Sequence, residues 1–99
     1  MKVRFLAAAR HDLRFAAYYY NGQRRGFGAE FRDAVRLALE RIKRHPAAWH
    51  LLSANTRRFV LHRFPYGIIY QVRDDEILIV AVAHLHREPD HWRDRLPFT

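Results

Sequence analysis

The sequence feature that most constrains the fold is an uninterrupted apolar run from Ile77 to Ala83. Side chains on a β-strand point alternately to its two faces, and this run is apolar on both. No apolar run reaches the roughly 18–20 residues that cross a bilayer, so a membrane span is not expected. The run therefore predicts a strand inside a sheet whose two faces are both covered.

Three further segments alternate between apolar and polar residues, which is the period typical of strands: 2–6, 56–64 and 66–73. Pro65 has no backbone N–H to donate, so it separates the second of these segments from the third. Asp74-Asp75 then predicts a tight turn between residues 66–73 and the apolar run.

Two segments between these strands have the helical period. The inner face of the first predicted helix is formed by Ala9, Leu13, Ala16, Ala17 and Tyr20, and that of the second by Phe27, Phe31, Ala34, Val35, Ala38 and Ile42. Asn21-Gly22 predicts the end of the first helix, and Pro46 predicts the end of the second at the residue before it. Residues 46–56 are interpreted as a connector without regular structure.

These elements predict one domain, residues 1–99, in the order β-α-α-β-β-β. Two helices joined by a short Gly-rich turn favour an antiparallel hairpin, and one sheet face must be covered by it. The predicted fold class is α+β, with the helical hairpin packed on a mainly antiparallel sheet in two layers.

The net charge of the protein limits the classes of partner that it is expected to bind. Lys and Arg number 18 against 10 Asp and Glu, giving a net charge of +8 with neutral histidines. A field of this sign favours nucleic acid, an acidic protein or another anionic surface. Cysteine is absent, which excludes disulfides, thiolate catalysis and cysteine-ligated metals. We expect a cytoplasmic protein without a membrane partner.

Cofactor and metal signals are weak. Gly22, Gly26 and Gly28 match no nucleotide-binding fingerprint, and Ser53 lies outside a nucleophile elbow. His84-x-His86 places two imidazoles on one side of an extended segment, but such pairs in a polar tail are more often solvated than metal-bound. We therefore predict no metal and no cofactor.

Two C-terminal stretches resemble a known superfamily. In the first, Phe64-Pro65-Tyr66 is followed by Ile68-Ile69-Tyr70; the second is a His-x-x-Arg-x-Pro-x-x-Trp ending that runs from His84 to Trp92. Together with the helical region, they resemble the RelE/ParE toxin superfamily and, within it, the ParE branch, whose members are often called plasmid stabilisation proteins.

The resemblance implies the toxin of a type II toxin–antitoxin system, held inactive by a cognate acidic antitoxin. ParE-like members inhibit DNA gyrase and so replication, without a nuclease site. RelE-like members are endonucleases that cut mRNA on the ribosome, and this is the alternative function. A plain binding module or a toxin that has lost its activity is a third possibility.

The RelE-type catalytic set is poorly matched in this sequence. Its third-strand arginine aligns with Gly67, and its second-strand lysines align near Arg58 and near Val60 or Leu61. Arg87 matches the C-terminal arginine, whereas the tyrosine position falls at Arg93. Ribosome-dependent cleavage needs several cations around the scissile phosphate, so the match favours the ParE branch.

Candidate site residues follow from charge and position. The candidates for contact with the antitoxin or the target are Arg57, Arg58, Arg63 and Arg73, which could share a basic sheet face with Arg87. The candidates for a toxic C-terminal surface are Arg87, Trp92 and Arg93, although Trp92 is also expected to anchor the tail on the sheet. If the protein is instead a histidine-based nuclease, the catalytic candidates are Arg63, His84, His86 and Arg87, where an imidazole base would act beside arginine clamps.

Overall fold

The computed structural model describes residues 1–87 and 90–96 of the chain. Glu88 and Pro89, which belong to the His-x-x-Arg-x-Pro-x-x-Trp ending, lie outside the described residues. In chain order the elements are β1 (Lys2–Phe5), α1 (Ala7–Gln23), α2 (Phe27–Arg44), β2 (His50–Leu51), β3 (Arg57–Val60), β4 (Tyr66–Arg73), β5 (Glu76–His84) and a 3₁₀ helix (His91–Arg95). The sheet order is β1-β5-β4-β3-β2, with β1 parallel to β5 and the other pairs antiparallel.

The strand predicted from the apolar run is confirmed as β5. Every residue from Ile77 to Ala83 is buried, because the strand lies between β1 and β4 and is covered on both faces. A register irregularity in the β4–β5 pairing follows the Ile69–Ala81 pair and precedes the Tyr70–Ile79 pair. It leaves Val80 as an extra residue, and both Val80 and Ala81 then pack on the face opposite the helices.

The helical hairpin covers the other face, as predicted. Small residues of α1 (Ala9, Ala16 and Ala17) are fully buried and let the helix approach the sheet and α2 closely. The two helices approach each other closely at Gly28, where an added Cβ would lie 2.4 Å from the carbonyl oxygen of Ala17. Helix α2 contributes the larger core side chains Phe31, Val35 and Ile42.

The second sheet face is covered by the C-terminal segment rather than by a helix layer. Trp92, from the 3₁₀ helix, is fully buried and packs with Ile69, Leu78, Val80, Ala81 and Ala83. The expectation that Trp92 anchors the tail on the sheet agrees with this position. The fold is α+β, as predicted, with one face covered by helices and the other by a short C-terminal cap.

Two predictions about the strands were wrong. Residues 46–56 are not wholly irregular, because His50–Leu51 forms β2 and pairs with Arg57 and Arg58. Both β2 residues are exposed, so burial left no pattern that could reveal the strand. Strand β3 ends at Val60 instead of continuing to Phe64, since the chain turns there and the Leu61 N–H bonds the Tyr66 carbonyl.

The end of α1 also differs from the prediction. The helix continues through Gly22 to Gln23, and the left-handed residue of the hairpin turn is Gly26, with φ of 84°. The Asn21 side chain accepts a hydrogen bond from the Gly26 N–H at 2.9 Å and so stabilises the turn. The end of α2 at Arg44, before Pro46, is confirmed. Within the described residues, no helix is both long and apolar enough to cross a membrane.

The close approach of the helices generates a stability prediction. Gly28→Ala is expected to destabilise the protein by about 2 kcal/mol, because the new methyl group would overlap backbone atoms of α1. Gly22→Ala is the matched control: its Cβ would meet nothing within 4 Å, so better helix propensity should stabilise the protein by up to about 1 kcal/mol. Urea unfolding of both variants measures the difference, and equal stability would contradict the proposed helix contact.

Candidate functional site

An open groove runs between α1 and α2 on their solvent side. We call it the hairpin groove; its volume is about 600 Å³ and it is lined by His11, Arg14, Phe15, Ala17, Tyr18, Asn21, Gly28, Ala29 and Arg32. Ala17 and Gly28 form its floor, since both are buried where the helices meet. The groove is therefore a direct result of small residues at the helix crossing.

Two aromatic side chains stand beside this groove without packing into the core. Phe15 is 67% exposed and Tyr18 is 82% exposed, which is unusual for large apolar side chains on adjacent turns of one helix. Arg14 and Arg32 add positive charge on the two helices. The surface is apolar at its centre and cationic at its edges, a combination suited to an acidic amphipathic segment.

The helical period predicted that Tyr20 lies on the inner face of α1, away from this groove. Tyr20 is half-buried at the centre of an aromatic cluster, and its ring lies 4.8–5.3 Å from those of Phe27, Phe31 and Phe64. Phe15 was missed, although its spacing of three residues from Tyr18 was a signal that both lie on one outward face.

A second cavity lies between α1, the ends of β4 and β5, and the C-terminal segment. We call it the C-terminal pocket; its volume is about 320 Å³ and it is lined by His11, Asp12, Phe15, Ala16, Tyr66, Val82, His84, Arg87 and His91. His11 and Phe15 line both cavities, so the pocket and the hairpin groove adjoin along α1.

Asp12 joins the three parts of the chain that surround this pocket. Its carboxylate accepts two hydrogen bonds from Arg95, at 2.7 and 2.9 Å, and one from the backbone N–H of Val82 at 3.0 Å. Arg95 also donates to the Val80 carbonyl at 2.9 Å. His91 adds an Nε2 atom 3.6 Å from Asp12. Asp12 thus ties the 3₁₀ helix to α1 and to the irregular part of β5.

His84 is held at the edge of the pocket in a defined orientation. Its ring packs edge-on against Tyr66, with 5.1 Å between the centroids, and its Nδ1 accepts the His86 N–H at 3.1 Å. Desolvation lowers the pKa of His84, and the charge of Arg87 and the neighbouring His86 lower it further. The neutral imidazole is consequently favoured at neutral pH.

Two tyrosines beside the pocket keep their protons. Burial raises the pKa of Tyr66, and the nearby guanidinium of Arg87 offsets part of that rise. Burial likewise raises the pKa of Tyr20, and Arg87 again acts in the opposite direction. Arg87 itself is exposed and has no hydrogen bond or ion pair with any residue in the described part of the chain.

The four arginines predicted to contact a partner do not form one basic face. Arg57 pairs in register with Tyr70 and Arg58 with Ile69, so their side chains leave β3 on opposite faces of the sheet. Arg57 donates to the Trp49 carbonyl at 2.8 Å, and Arg73 donates to Gln71 at 2.8 Å. The expectation of a single basic sheet face is corrected by this alternation; the contact role of each arginine stays a prediction.

Arg63 lies apart from the other nuclease candidates. Its guanidinium donates to Glu30 on α2 at 2.7 Å, and this hydrogen bond is the main cause of the lowered pKa of Glu30. By contrast, the rings of His84 and His86 are 5.9 Å apart, and Arg87 follows them directly. The structure therefore brings together three of the four residues of the nuclease hypothesis.

The position expected to hold a RelE-type third-strand arginine is closed. An added Cβ at Gly67 would lie 2.9 Å from both Cγ and Cδ of Arg58, whose side chain crosses this part of the sheet. Arg58 Nε is buried there and has no hydrogen-bond partner within the described parts of the chain. A side chain at Gly67 would require Arg58 to move.

The C-terminal candidates differ in exposure. Arg93 is exposed, stacks 4.6 Å over the Trp92 ring and lies 3.4 Å from Asp90. Trp92 is buried, so its ring offers no surface to a partner, and its expected place on a toxic surface is corrected by its burial. Residues 1–87 and 90–96 contain no group of three or more His, Cys, Asp or Glu that could hold a metal ion.

Comparison with known families identifies the chain. The profile of the ParE toxin of the type II toxin–antitoxin system parDE matches residues 3–89. The chain belongs to the ParE toxin family. In the parDE system, the toxin of this family is paired with an antitoxin. The matched residues extend from β1 through both helices to β5.

A solved structure shows the same fold as this ParE-family chain. The chain is similar to a protein described as the chromosomal ParDE TA system from P. aeruginosa, with a TM-score of 0.65 and 18% sequence identity. The similarity covers 87% of this chain and 97% of that one. No curated protein matches the sequence.

The contacts of Asp12 generate a stability prediction for this ParE-family toxin. Asp12→Asn is expected to destabilise the fold by about 2–4 kcal/mol, because Arg95 would keep its charge in a largely buried position without a carboxylate. Asp33→Asn is the control, since Asp33 pairs with Arg36 on the exposed side of α2 and should cost less than about 1 kcal/mol. Urea unfolding with hydrogen exchange at residues 91–95 measures both; equal stability of the variants would contradict the central role of Asp12.

Proposed function

We propose that this protein is a toxin that inhibits DNA gyrase, and thereby replication, and that a cognate acidic antitoxin neutralises it. The observation that carries the proposal is the match of the ParE toxin profile across residues 3–89. A gyrase inhibitor works in the cytoplasm, which is the location we propose for this protein.

The geometry of the sheet supports gyrase inhibition over mRNA cleavage. A RelE-type site requires several cations around one phosphate, and the third-strand position is Gly67, covered by Arg58. Arg63 is paired with Glu30 on α2 and does not join Arg87. Toxicity by occupation of a protein surface needs no such constellation, so we assign no catalytic residue.

The hairpin groove is the surface we propose for the antitoxin. Phe15 and Tyr18 offer apolar contact, and Arg14 and Arg32 attract carboxylates. A disordered acidic segment can fold as an amphipathic helix in such a groove, adding a third helix to the hairpin. The net charge of +8 would accelerate the encounter and make it sensitive to salt.

The exposed C-terminal arginines are our candidates for target contact. Arg87 and Arg93 lie on the segment that Trp92 anchors, so the buried ring fixes the position of the exposed cations. Arg58 and Arg63 remain proposed partner contacts, which a partner would reach at their solvent-exposed atoms. The two partner surfaces are thereby assigned to different parts of the chain.

Induction of the protein without its antitoxin tests the target. Gyrase inhibition predicts an early SOS response and arrest of DNA synthesis while transcripts remain intact. Rapid transcript cleavage would instead support the nuclease, in which case Arg87→Ala should abolish cutting. Normal growth with full-length protein present would contradict both activities. Pulse labelling of DNA, an SOS reporter and transcript-end sequencing read these outcomes separately.

A matched set of variants tests the proposed antitoxin surface. Phe15→Ala or Tyr18→Ala should weaken binding of the proposed acidic antitoxin by about tenfold or more, as truncation of a central aromatic contact does. Leu37→Ala is the control, because Leu37 is 53% exposed on α2 and does not line the groove. Calorimetric titration gives the dissociation constants, and equal values for all three variants would exclude the groove as the binding surface.

A further inference from the structure

The C-terminal pocket presents hydrogen-bond donors that have no acceptor among residues 1–87 and 90–96. Arg87 is exposed and unpaired in the part of the chain that the structure describes, yet its charge reaches the hydroxyls of Tyr20 and Tyr66 and the ring of His84. The Tyr66 hydroxyl likewise has no hydrogen-bond partner among the described residues. A neutral phenol and a guanidinium that line the same pocket are both able to donate to an anion.

The carboxylate in the pocket lining cannot supply that anion. Both oxygens of Asp12 are occupied by Arg95, and the Val82 N–H adds a further donor to one of them. The pair formed by Asp12 and Arg95 is neutral overall, so no carboxylate among the described residues that line the pocket compensates the charge of Arg87. An anionic group that enters the pocket therefore meets a net positive field.

His84 supplies a third donor. Because its Nδ1 accepts the backbone N–H of His86, the proton of the neutral ring must be on Nε2. An N–H on that side of the ring, a phenol and a guanidinium form a donor set suited to a group with several oxygens. A phosphate has enough acceptor oxygens to use all three donors together.

The remaining walls of the pocket are apolar and aromatic. Ala16 and Val82 are buried beneath it, and Phe15 exposes most of its ring at its edge. The volume of about 320 Å³ falls in the range of small-molecule sites. A single Asp or Glu side chain of a partner protein would fill only a small part of this volume. An aromatic ring beside a phosphate site provides a stacking surface for a nucleobase.

We propose that the C-terminal pocket binds one nucleotide, with its phosphate held by Arg87, His84 and Tyr66 and its base against Phe15. The nucleotide is either free in solution or the phosphorylated end of a strand, since both present the same chemistry. This binding involves no bond cleavage. It goes beyond the proposed inhibition of gyrase because neither gyrase nor the antitoxin supplies any of its contacts.

Binding to the purified protein tests the proposal by NMR of backbone amides. Adenosine 5′-monophosphate should shift amides around Phe15, His84 and Arg87 saturably at millimolar concentration, whereas adenosine and inorganic phosphate alone should bind more weakly. A 5′-phosphorylated tetrathymidylate that binds more tightly than the free nucleotide would identify a strand end as the source. N-acetylglutamate that binds as tightly as the nucleotide would overturn the proposal in favour of a carboxylate receptor.

Two variants and one control make the result specific. Arg87→Gln should weaken nucleotide binding by about tenfold or more, the effect of losing charged hydrogen bonds. Phe15→Ala should weaken nucleotide binding but leave that of inorganic phosphate unchanged. Arg32→Gln, at the far side of the hairpin groove, should bind as the unaltered protein does. Unchanged binding in Arg87→Gln, or no saturable shift with any nucleotide probe, would refute the site.

Discussion

Burial of both faces of β5 is the constraint on which the rest of the structure depends. A strand that is apolar on each side must be covered on both faces, and the described residues form a single helical hairpin, which covers one of them. The second cover comes from Trp92 and the C-terminal segment, which is fastened by the contacts of Asp12 with Arg95. The helical hairpin and the C-terminal segment are therefore both needed to bury β5, and the C-terminal pocket forms where these two parts of the chain meet.

The arginines divide into two groups according to where the backbone puts them. Two arginines on the sheet donate to the chain itself, Arg57 to the Trp49 carbonyl and Arg73 to Gln71. Those beside the two cavities, such as Arg32 and Arg87, leave theirs to solvent or to a partner. Net charge alone does not separate these groups, because alternation along a strand decides which side chains can meet.

The sequence was sufficient to predict those helices and strands whose buried residues recur with the helical or the strand period. The strand from Ile77, the strand from Tyr66 and both helices were predicted because each carries a regular apolar face. Strand β2 was missed since neither of its residues is buried, and only pairing with β3 defines it. The turn glycine was assigned to Gly22 instead of Gly26 because both follow polar residues and only backbone geometry distinguishes them.

The candidate site was less predictable because its contacts join distant parts of the chain. Asp12 and Arg95 are 83 residues apart, and no periodic pattern connects them. The grouping of His84, His86 and Arg87 follows from their adjacency in sequence, and it was predicted. The separation of Arg63 from them, and the covering of Gly67 by Arg58, depend on loop paths and side-chain directions that a linear pattern does not contain.

Phe15 and His11 belong to the walls of two adjoining cavities, and this gives the molecule a property that neither cavity has alone. A ligand that turned the Phe15 ring toward one cavity would remove part of the lining of the other cavity. By thermodynamic linkage, the free energy with which the first ligand changes the affinity of the second equals the reverse effect. A single phenyl ring on α1 would thus couple the two proposed binding events.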